Sequence, residues 1–424
     1  MIEEKFLEIL KKELVVALGC TEPIAIALAA ATARKYLSSQ EIASIKVFAS
    51  RNIIKNAMSV NIPGTESCGI NLAAALGAEV NYEFSKLEVL NRITKENIIK
   101  AKEMVKANMV SVSIADTSKK LYIEVIINSG SSSSKVIIED DHTNITTIEV
   151  DGKSYLGDML RTAKLTDDEN TDTLCIKEIW DFVQSVDIEK LAIIKQSITL
   201  NKAIALEGIN SCYGLSVGKT IMDSIKKGIL QEDILSYSMA LTAAASDARM
   251  AGCSLSVMSN SGSGNQGIAA TLPVVAAWEK LGLEEEKLIR AVALSHYITI
   301  YIKSKFGRLS ALCGITIATT GASCGIVYLY GGNLQAITYS IQNMLGNVTG
   351  MLCDGAKAGC ALKVSTCTNA AVQSAMLALN NINIKATDGI IEEDVEKTIN
   401  NVCRLANEGT QTADDIILDI MINK

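Results

Sequence analysis

Cys313, Cys353 and Cys360 stand at the two ends of a long stretch without charge. From Leu309 to Cys353 the chain contains no Asp, Glu, Lys, Arg or His. With 21% of residues charged, such a gap has a chance of roughly a few in 10^5 per window. Thiolates enclosed by uncharged Gly- and Ser-rich backbone suit a buried metal–sulfur centre. Three ligands where a cluster needs four would leave one metal position open to a substrate.

Six residues separate Cys353 from Cys360. On an unbroken helix, seven positions rise about 10.5 Å, too far for two thiolates to share one compact cluster easily. Gly355 and Gly359 are suited to break the helix and bring the sulfurs together. Cys367 extends the same seven-residue stripe, which cannot converge on one metal over three positions, so it reads as a core thiol. Cys313 follows Arg308 and another glycine break, and would supply a third ligand from a separate segment. Spacing alone leaves three readings open: iron–sulfur, zinc on three cysteines, or small buried hydrophobes.

Other residues could do chemistry. Gly19-Cys20-Thr21-Glu22-Pro23 places a thiol at a helix N-terminus, where the helix dipole is expected to lower its pKa toward neutrality for nucleophilic or proton-transfer work. Ser259-Asn260-Ser261-Gly262-Ser263-Gly264-Asn265-Gln266-Gly267 is a run of backbone and side-chain donors opening onto an apolar helix, a nest for carboxylate or phosphate. A pyridoxal-phosphate Ser-Gly-Asn loop would need a Schiff-base lysine in a sheet-based fold, and Lys226 and Lys227 lie in a helical region. Gly214 to Thr220 imitates a Walker A loop, with three residues between the glycines where four are required and no strand before it. His142 and His296 are the only histidines, which excludes sites built on several imidazoles; each alone reads as structural before catalytic.

The elements that must position these residues fall into two regions. Residues 1–40 read as two helices broken at Gly19, the second running from Thr21 with Pro23 in its first turn. Residues 41–165 alternate in strand fashion through IASIKVFAS, MVSVSIAD, LYIEVIIN, SKVIIED and NITTIEV. Helices are expected near Glu66–Leu76 and Lys95–Ala107, with Asp140–Asn144 as a hairpin tip. Residues 166–424 are helical, with Gly-rich breaks at 208–218, 252–267, 307–314 and 346–359. The fold expected is α+β, a small N-terminal α+β domain joined to a larger all-helical catalytic domain.

Composition narrows the function. The chain has 424 residues and a net charge of −7, and no basic patch with interleaved aromatics, so nucleic acid is not the expected partner. Its first helix alternates acids and lysines with apolar residues and lacks the features of a signal peptide. Eleven cysteines, an odd number without a secretory signal, suit a reduced cytoplasmic protein. Residues 311–332 are long enough to span a bilayer. They are rich in Thr, Ser, Gly and Cys, without an aromatic belt or flanking positive excess, so a buried core helix is expected instead.

Several of these motifs together resemble the serine dehydratase alpha-chain-like family that contains L-cysteine desulfidase. They are Gly19–Pro23, Asn56, Pro63-Gly64-Thr65, His142-Thr143-Asn144, Ser246–Met250, Ser261–Gly267, Leu309–Cys313, and Cys353–Ala356 with Cys360. The resemblance covers nearly the whole chain. It implies a [4Fe–4S] cluster with one open iron on Cys313, Cys353 and Cys360, and Cys20 as the proton-transfer thiol. It implies substrate contacts from Asn56, His142, Asn144, Ser261, Gly262, Ser263, Asn265 and Lys363. Asp141 departs from the family, whose members tend to carry Gly before His-Thr-Asn. The activity implied is β-elimination of L-cysteine to hydrogen sulfide, pyruvate and ammonia, with L-serine dehydration as the alternative. A non-catalytic iron–sulfur sensor would need the three cysteines but not Cys20. The expected partner is a small amino acid, with no membrane; a homo-oligomer is compatible.

Overall fold

The computed structural model describes residues 2–37, 41–80, 86–130, 132–155, 174–307 and 309–424. The boundary expected near 165 lies outside the described residues, as does Arg308. The chain opens with α1 (Ile2–Glu13), a two-residue strand β1 (Val16–Ala17) and α2 (Thr21–Lys35). There follow β2 (Ser44–Ala49), α3 (Arg51–Ala57), β3 (Asn61–Ile62), β4 (Ser67–Cys68), α4 (Ile70–Glu79) and α5 (Lys95–Lys106). Strands β5 (Val110–Ile114), β6 (Tyr122–Asn128), β7 (Ser133–Glu139), β8 (Ile145–Val150) and β9 (Lys153–Ser154) complete the first part.

Helices then dominate: α6 (Ile176–Ser185), α7 (Ala192–Asn210), α8 (Val217–Lys226) and α9 (Ile234–Met250). After the two-residue strand β10 (Val257–Met258) come α10 (Gly264–Leu281), α11 (Glu285–Phe306), α12 (Ile315–Leu329) and α13 (Leu334–Val348). The last are α14 (Cys360–Leu379), α15 (Val395–Arg404) and α16 (Gln411–Ile422). The fold is α+β, as the sequence pattern predicts.

The sheet has the order β5-β2-β6-β7-β8-β9, antiparallel except for the β2–β5 pair. Alternation does its ordinary work: Ile123, Val125 and Ile127 on β6 and Val136 and Ile138 on β7 are buried on one face. Helices α2 and α4 cover that face. Gly77 lets them approach closely, because a Cβ there would lie 2.2 Å from the Ala27 carbonyl oxygen.

The helical part is built round α11 and α12. The charge-free segment is α12, buried over nearly its whole length. Gly321 permits its contact with α11, where a Cβ would meet the Ser295 carbonyl at 2.2 Å. No helix among the described residues is long and apolar enough to cross a membrane.

The two N-terminal helices join different cores. Phe6, Ile9 and Leu10 of α1 pack with the helical core, Phe6 stacking on Phe182 at 4.3 Å, whereas α2 packs on the sheet. At the other end, α16 returns to α3 and places Leu418 in the sheet's core. The chain therefore crosses between the two parts at both ends, and the residues singled out in the sequence lie along that seam.

Candidate active site

Cys20 is the residue before the first turn of α2. Gly19 makes the approach possible with a φ of +67°, and a Cβ there would fall 2.5 Å from the Pro63 ring. The Cys20 side chain does not cap the helix. It donates to Glu22 Oε2 at 3.0 Å, as does the Thr21 hydroxyl at 3.0 Å, while Asn56 Nδ2 donates to Glu22 Oε1 at 3.0 Å. His142 Nε2 lies 3.9 Å from that same Oε1. All five residues are buried.

This corrects the expected electrostatics of Cys20. Burial, and then the Glu22 carboxylate, push its thiol well above the ordinary range, outweighing the pull of Arg249. A helix dipole cannot lower a thiol's pKa on balance when the group is desolvated and faces an anion two residues away. Burial also pushes the Glu22 carboxyl up. Attraction to His142 and hydrogen bonds from Cys20, its own backbone and Asn56 prevail, holding it below its usual range. The resting pair is thus a neutral thiol on a carboxylate.

Helix α3, which the strand-like pattern of this region concealed, supplies Asn56. His142 comes from the β7–β8 tip. Asp141 Oδ1 accepts from the Thr143 backbone at 3.0 Å and its hydroxyl at 2.9 Å, and Asn144 Nδ2 donates to the Glu139 carbonyl at 3.0 Å. Asp141 therefore closes the turn that holds His142. Asn144 belongs to this turn and does not line the cavity.

The glycine-rich loop is held from below. Asn260 and Ser263 exchange backbone hydrogen bonds at 3.1 and 3.0 Å across a tight turn, with Ser261 at φ 48° and Gly262 at φ 80°. The Ser259 and Ser261 amides donate to the carbonyls of Val15 and Glu13 at 2.9 and 3.1 Å. Asn260 Nδ2 reaches His296 Nδ1 at 2.9 Å, and Ser197 and Thr271 meet its Nε2 at 3.1 Å each. Burial pushes the His296 pKa down to about 3, so this histidine is a neutral brace for the loop. Ser263 caps α10.

The cysteines come from two crossing segments. Leu312 and Leu352 form an antiparallel bridge, with the Cys313 amide donating to the Met351 carbonyl at 2.8 Å and the Cys353 amide to the Ala311 carbonyl at 2.7 Å. Cys360 opens α14. Of the two glycines, Gly355 carries the break: its φ is +92°, and a Cβ would lie 2.3 Å from the Lys55 carbonyl oxygen. Gly359 has ordinary helical dihedrals. Lys55 Nζ donates to the Cys353 carbonyl at 3.1 Å and pairs with Asp414 of α16. Lys363 binds Asp354 and the Leu352 carbonyl, holding this loop without lining the cavity. Cys367 is buried against Met351.

Cys20, Asn56, His142, Ser261, Gly262, Ser263, Asn265, Cys313, Cys353 and Cys360 all line one cavity of about 110 Å³. All three candidate ligand cysteines are free thiols. Burial, then the neighbouring Cys353, pushes the Cys313 thiol well up, and burial raises Cys360. Among the described residues no group of three or more His, Cys, Asp or Glu side chains is disposed to hold a single metal ion. Three thiols spread round one cavity do fit the donor set of a cluster, which would displace their protons on binding.

The cavity also holds residues that the sequence reading left unassigned: Glu22, Arg249, Gln266 and Lys303. Several buried atoms there have no hydrogen-bond partner, including Asn56 Oδ1, both His142 ring nitrogens, Arg249 Nε, Asn265 Oδ1 and Gln266 Oε1. Unsatisfied buried polar groups are uncommon in folded proteins, and their concentration here marks a ligand site. Arg249 was legible as the sole cation in the alanine-rich TAAASDARM. The false Walker loop has a different task. The Gly218 amide donates to Asp247 Oδ2 at 3.0 Å, so the start of α8 binds the protein's own carboxylate, whose pKa burial pushes up to about 6.

A family model described as serine dehydratase alpha chain matches residues 84–419. A UPF0597 protein of Clostridium perfringens is 45% identical over 426 residues, spanning 100% of this chain and 99% of the relative. UPF0597 proteins of Oleidesulfovibrio alaskensis and Bacteroides thetaiotaomicron are 44% and 42% identical, each spanning 99% of this chain and 98% of the relative.

Proposed function

The chain belongs to the serine dehydratase alpha chain family, and from that premise we propose that it is an iron–sulfur-dependent lyase acting by β-elimination on L-cysteine. The observation that carries this reading is the meeting of the Cys20–Glu22 pair and three free cysteines on one cavity with unpartnered polar walls. Cys313, Cys353 and Cys360 would hold a [4Fe–4S] cluster. When bound, it supplies an open iron that can act as a Lewis acid toward the β-substituent.

The protein's own residues handle the α-proton. Cys20 would take the proton from the substrate Cα as a thiolate, its own proton passing to Glu22 along the existing hydrogen bond, a transfer that the resting pKa order opposes and the nearby Arg249 cation favours. The Cα–H electron pair becomes the Cα=Cβ bond, and the β-substituent leaves with its own pair. Aminoacrylate then tautomerises and hydrolyses to pyruvate and ammonia. Asn56 and His142 hold Glu22 aimed at Cys20, and the 261–267 loop orients the amino acid.

The family's name favours a second reading, dehydration of L-serine, which uses the same proton path with a different leaving group. Anaerobic reconstitution followed by pyruvate and sulfide assays on L-cysteine and L-serine, side by side, tests both. Sulfide with pyruvate from L-cysteine is the expected result. Iron-loaded protein that makes pyruvate from neither substrate would end the lyase reading.

A further inference from the structure

Arg249 lies at the end of α9 with 3% of its surface exposed. Its Nε has no hydrogen-bond partner, and the guanidinium lines the cavity. A buried unpaired cation is costly, and proteins keep one where an anion arrives to meet it. The nearest carboxylate in sequence, Asp247, is already engaged by the α8 backbone.

The guanidinium packs directly on the first residue of α10. A Cβ on Gly264 would lie 2.3 Å from Nε, 2.6 Å from Cζ and 2.9 Å from Nη2. The guanidinium, whose fork can hold both oxygens of a carboxylate, therefore lies against the N-terminus of α10, where the helix dipole also favours an anion. Asn265 and Gln266, in that same first turn, present amide oxygens without partners, acceptors that suit the amino acid's ammonium beside its carboxylate.

We propose that Arg249, together with the opening turn of α10, is the clamp for the substrate's α-carboxylate, so that the cavity takes free α-amino acids and rejects their amides. The glycine at 264 is required because any side chain would displace the guanidinium. This deepens the lyase reading and rests on it for the choice of amino acid. The rival role for Arg249 is a fixed counter-charge to the cysteine sulfurs. A counter-charge would not select between a carboxylate and a carboxamide on the ligand.

The test uses anaerobically reconstituted protein with measured iron and labile sulfide. The probes are L-alanine, which has no β-leaving group, and L-alaninamide, both titrated by calorimetry. Wild type is expected to bind L-alanine and to bind the amide at least tenfold more weakly. Arg249→Gln should weaken L-alanine by about 10- to 100-fold, the range for a charged hydrogen bond, and abolish the preference with iron content unchanged. Gly264→Ala, which retains the arginine, should weaken L-alanine in the same direction, and Arg249→Lys should restore part of the affinity.

Unchanged L-alanine binding in Arg249→Gln would overturn the clamp. So would loss of iron with the acid-over-amide preference intact, which is the counter-charge result. Wild type that prefers L-alanine to its amide yet makes no pyruvate from L-cysteine or L-serine would leave the clamp standing and remove the lyase reading.

Discussion

The Cys20 thiol and the Glu22 carboxylate are hydrogen bonded at 3.0 Å within the first turn of one helix. Their pKa values are driven apart, the thiol upward and the carboxyl downward. A thiol held this way is a poor base until it loses its proton, and Glu22 is the acceptor already in place. Glu22→Gln is expected to lower kcat by about 10^2- to 10^4-fold, the usual worth of a positioned acid–base group, with iron content retained. Cys20→Ala should do at least as much. Full turnover in either variant would remove the pair from the proton path, and unchanged function in Cys20→Ala would favour a sensor.

The three cavity cysteines should separate cleanly from their neighbour. Replacement of Cys313, Cys353 or Cys360 by Ser is expected to cut iron and labile sulfide after anaerobic reconstitution to a small fraction of wild type. Cys367→Ser should retain both, because Cys367 faces Met351 in the core and lines no part of the cavity. Metal analysis and the visible absorption spectrum read the difference. Equal loss in all four variants would point to misfolding or to a different ligand set.

Lys55 ties the last helix to the cysteine loop. Its ammonium is buried between the Cys353 carbonyl and Asp414, and Asn52 also donates to Asp414 at 2.9 Å. Asp414→Asn leaves that ammonium without its counter-ion and should destabilise the fold by about 3 kcal/mol. Lys55→Met with Asp414→Asn should cost less than the two changes summed, because the stranded charge is gone. Thermal melts give the energies. The lifetime of the cluster absorbance in air should shorten in Asp414→Asn if the pair steadies Cys353.

Much of this was legible in the sequence. The alternating strands and Lys95–Lys106 follow from periodicity, because one face of each element meets a core, whereas the all-round burial of α12 follows from its lack of charge. The cysteine convergence rested on a glycine break that Gly355 does provide. What escaped is what depends on distant partners. Lys55 and Asp414 are 359 positions apart, and nothing in either neighbourhood announces the other. Helix α3 is only seven residues long and follows a strand without a change of hydrophobic pattern. The pKa of Cys20 departs from the sequence expectation because the helix dipole is visible in sequence, whereas desolvation is a property of the packed site.

The braces beneath the site give a pH test in which two residues act with opposite sign. His296 titrates near 3 in the folded chain against about 6.5 when unfolded. Between those values the unfolded chain holds the extra proton, so stability is full above pH 6.5 and falls as pH drops, by about 1.4 kcal/mol per unit. Asp247 is shifted the other way, to about 6 in the fold from about 3.9 unfolded. Its folded form binds the proton first, so its contribution is full below pH 3.9 and is lost as pH rises through 6. From pH 4 to 6 the two slopes oppose and the wild-type stability curve should be nearly flat from these groups. His296→Gln removes one slope and should make stability fall with rising pH over that window. Asp247→Asn removes the other and should make it rise. Urea midpoints at half-unit intervals from pH 4.5 to 7 would resolve the two signs; parallel curves for both variants would show that neither group changes its proton affinity on folding.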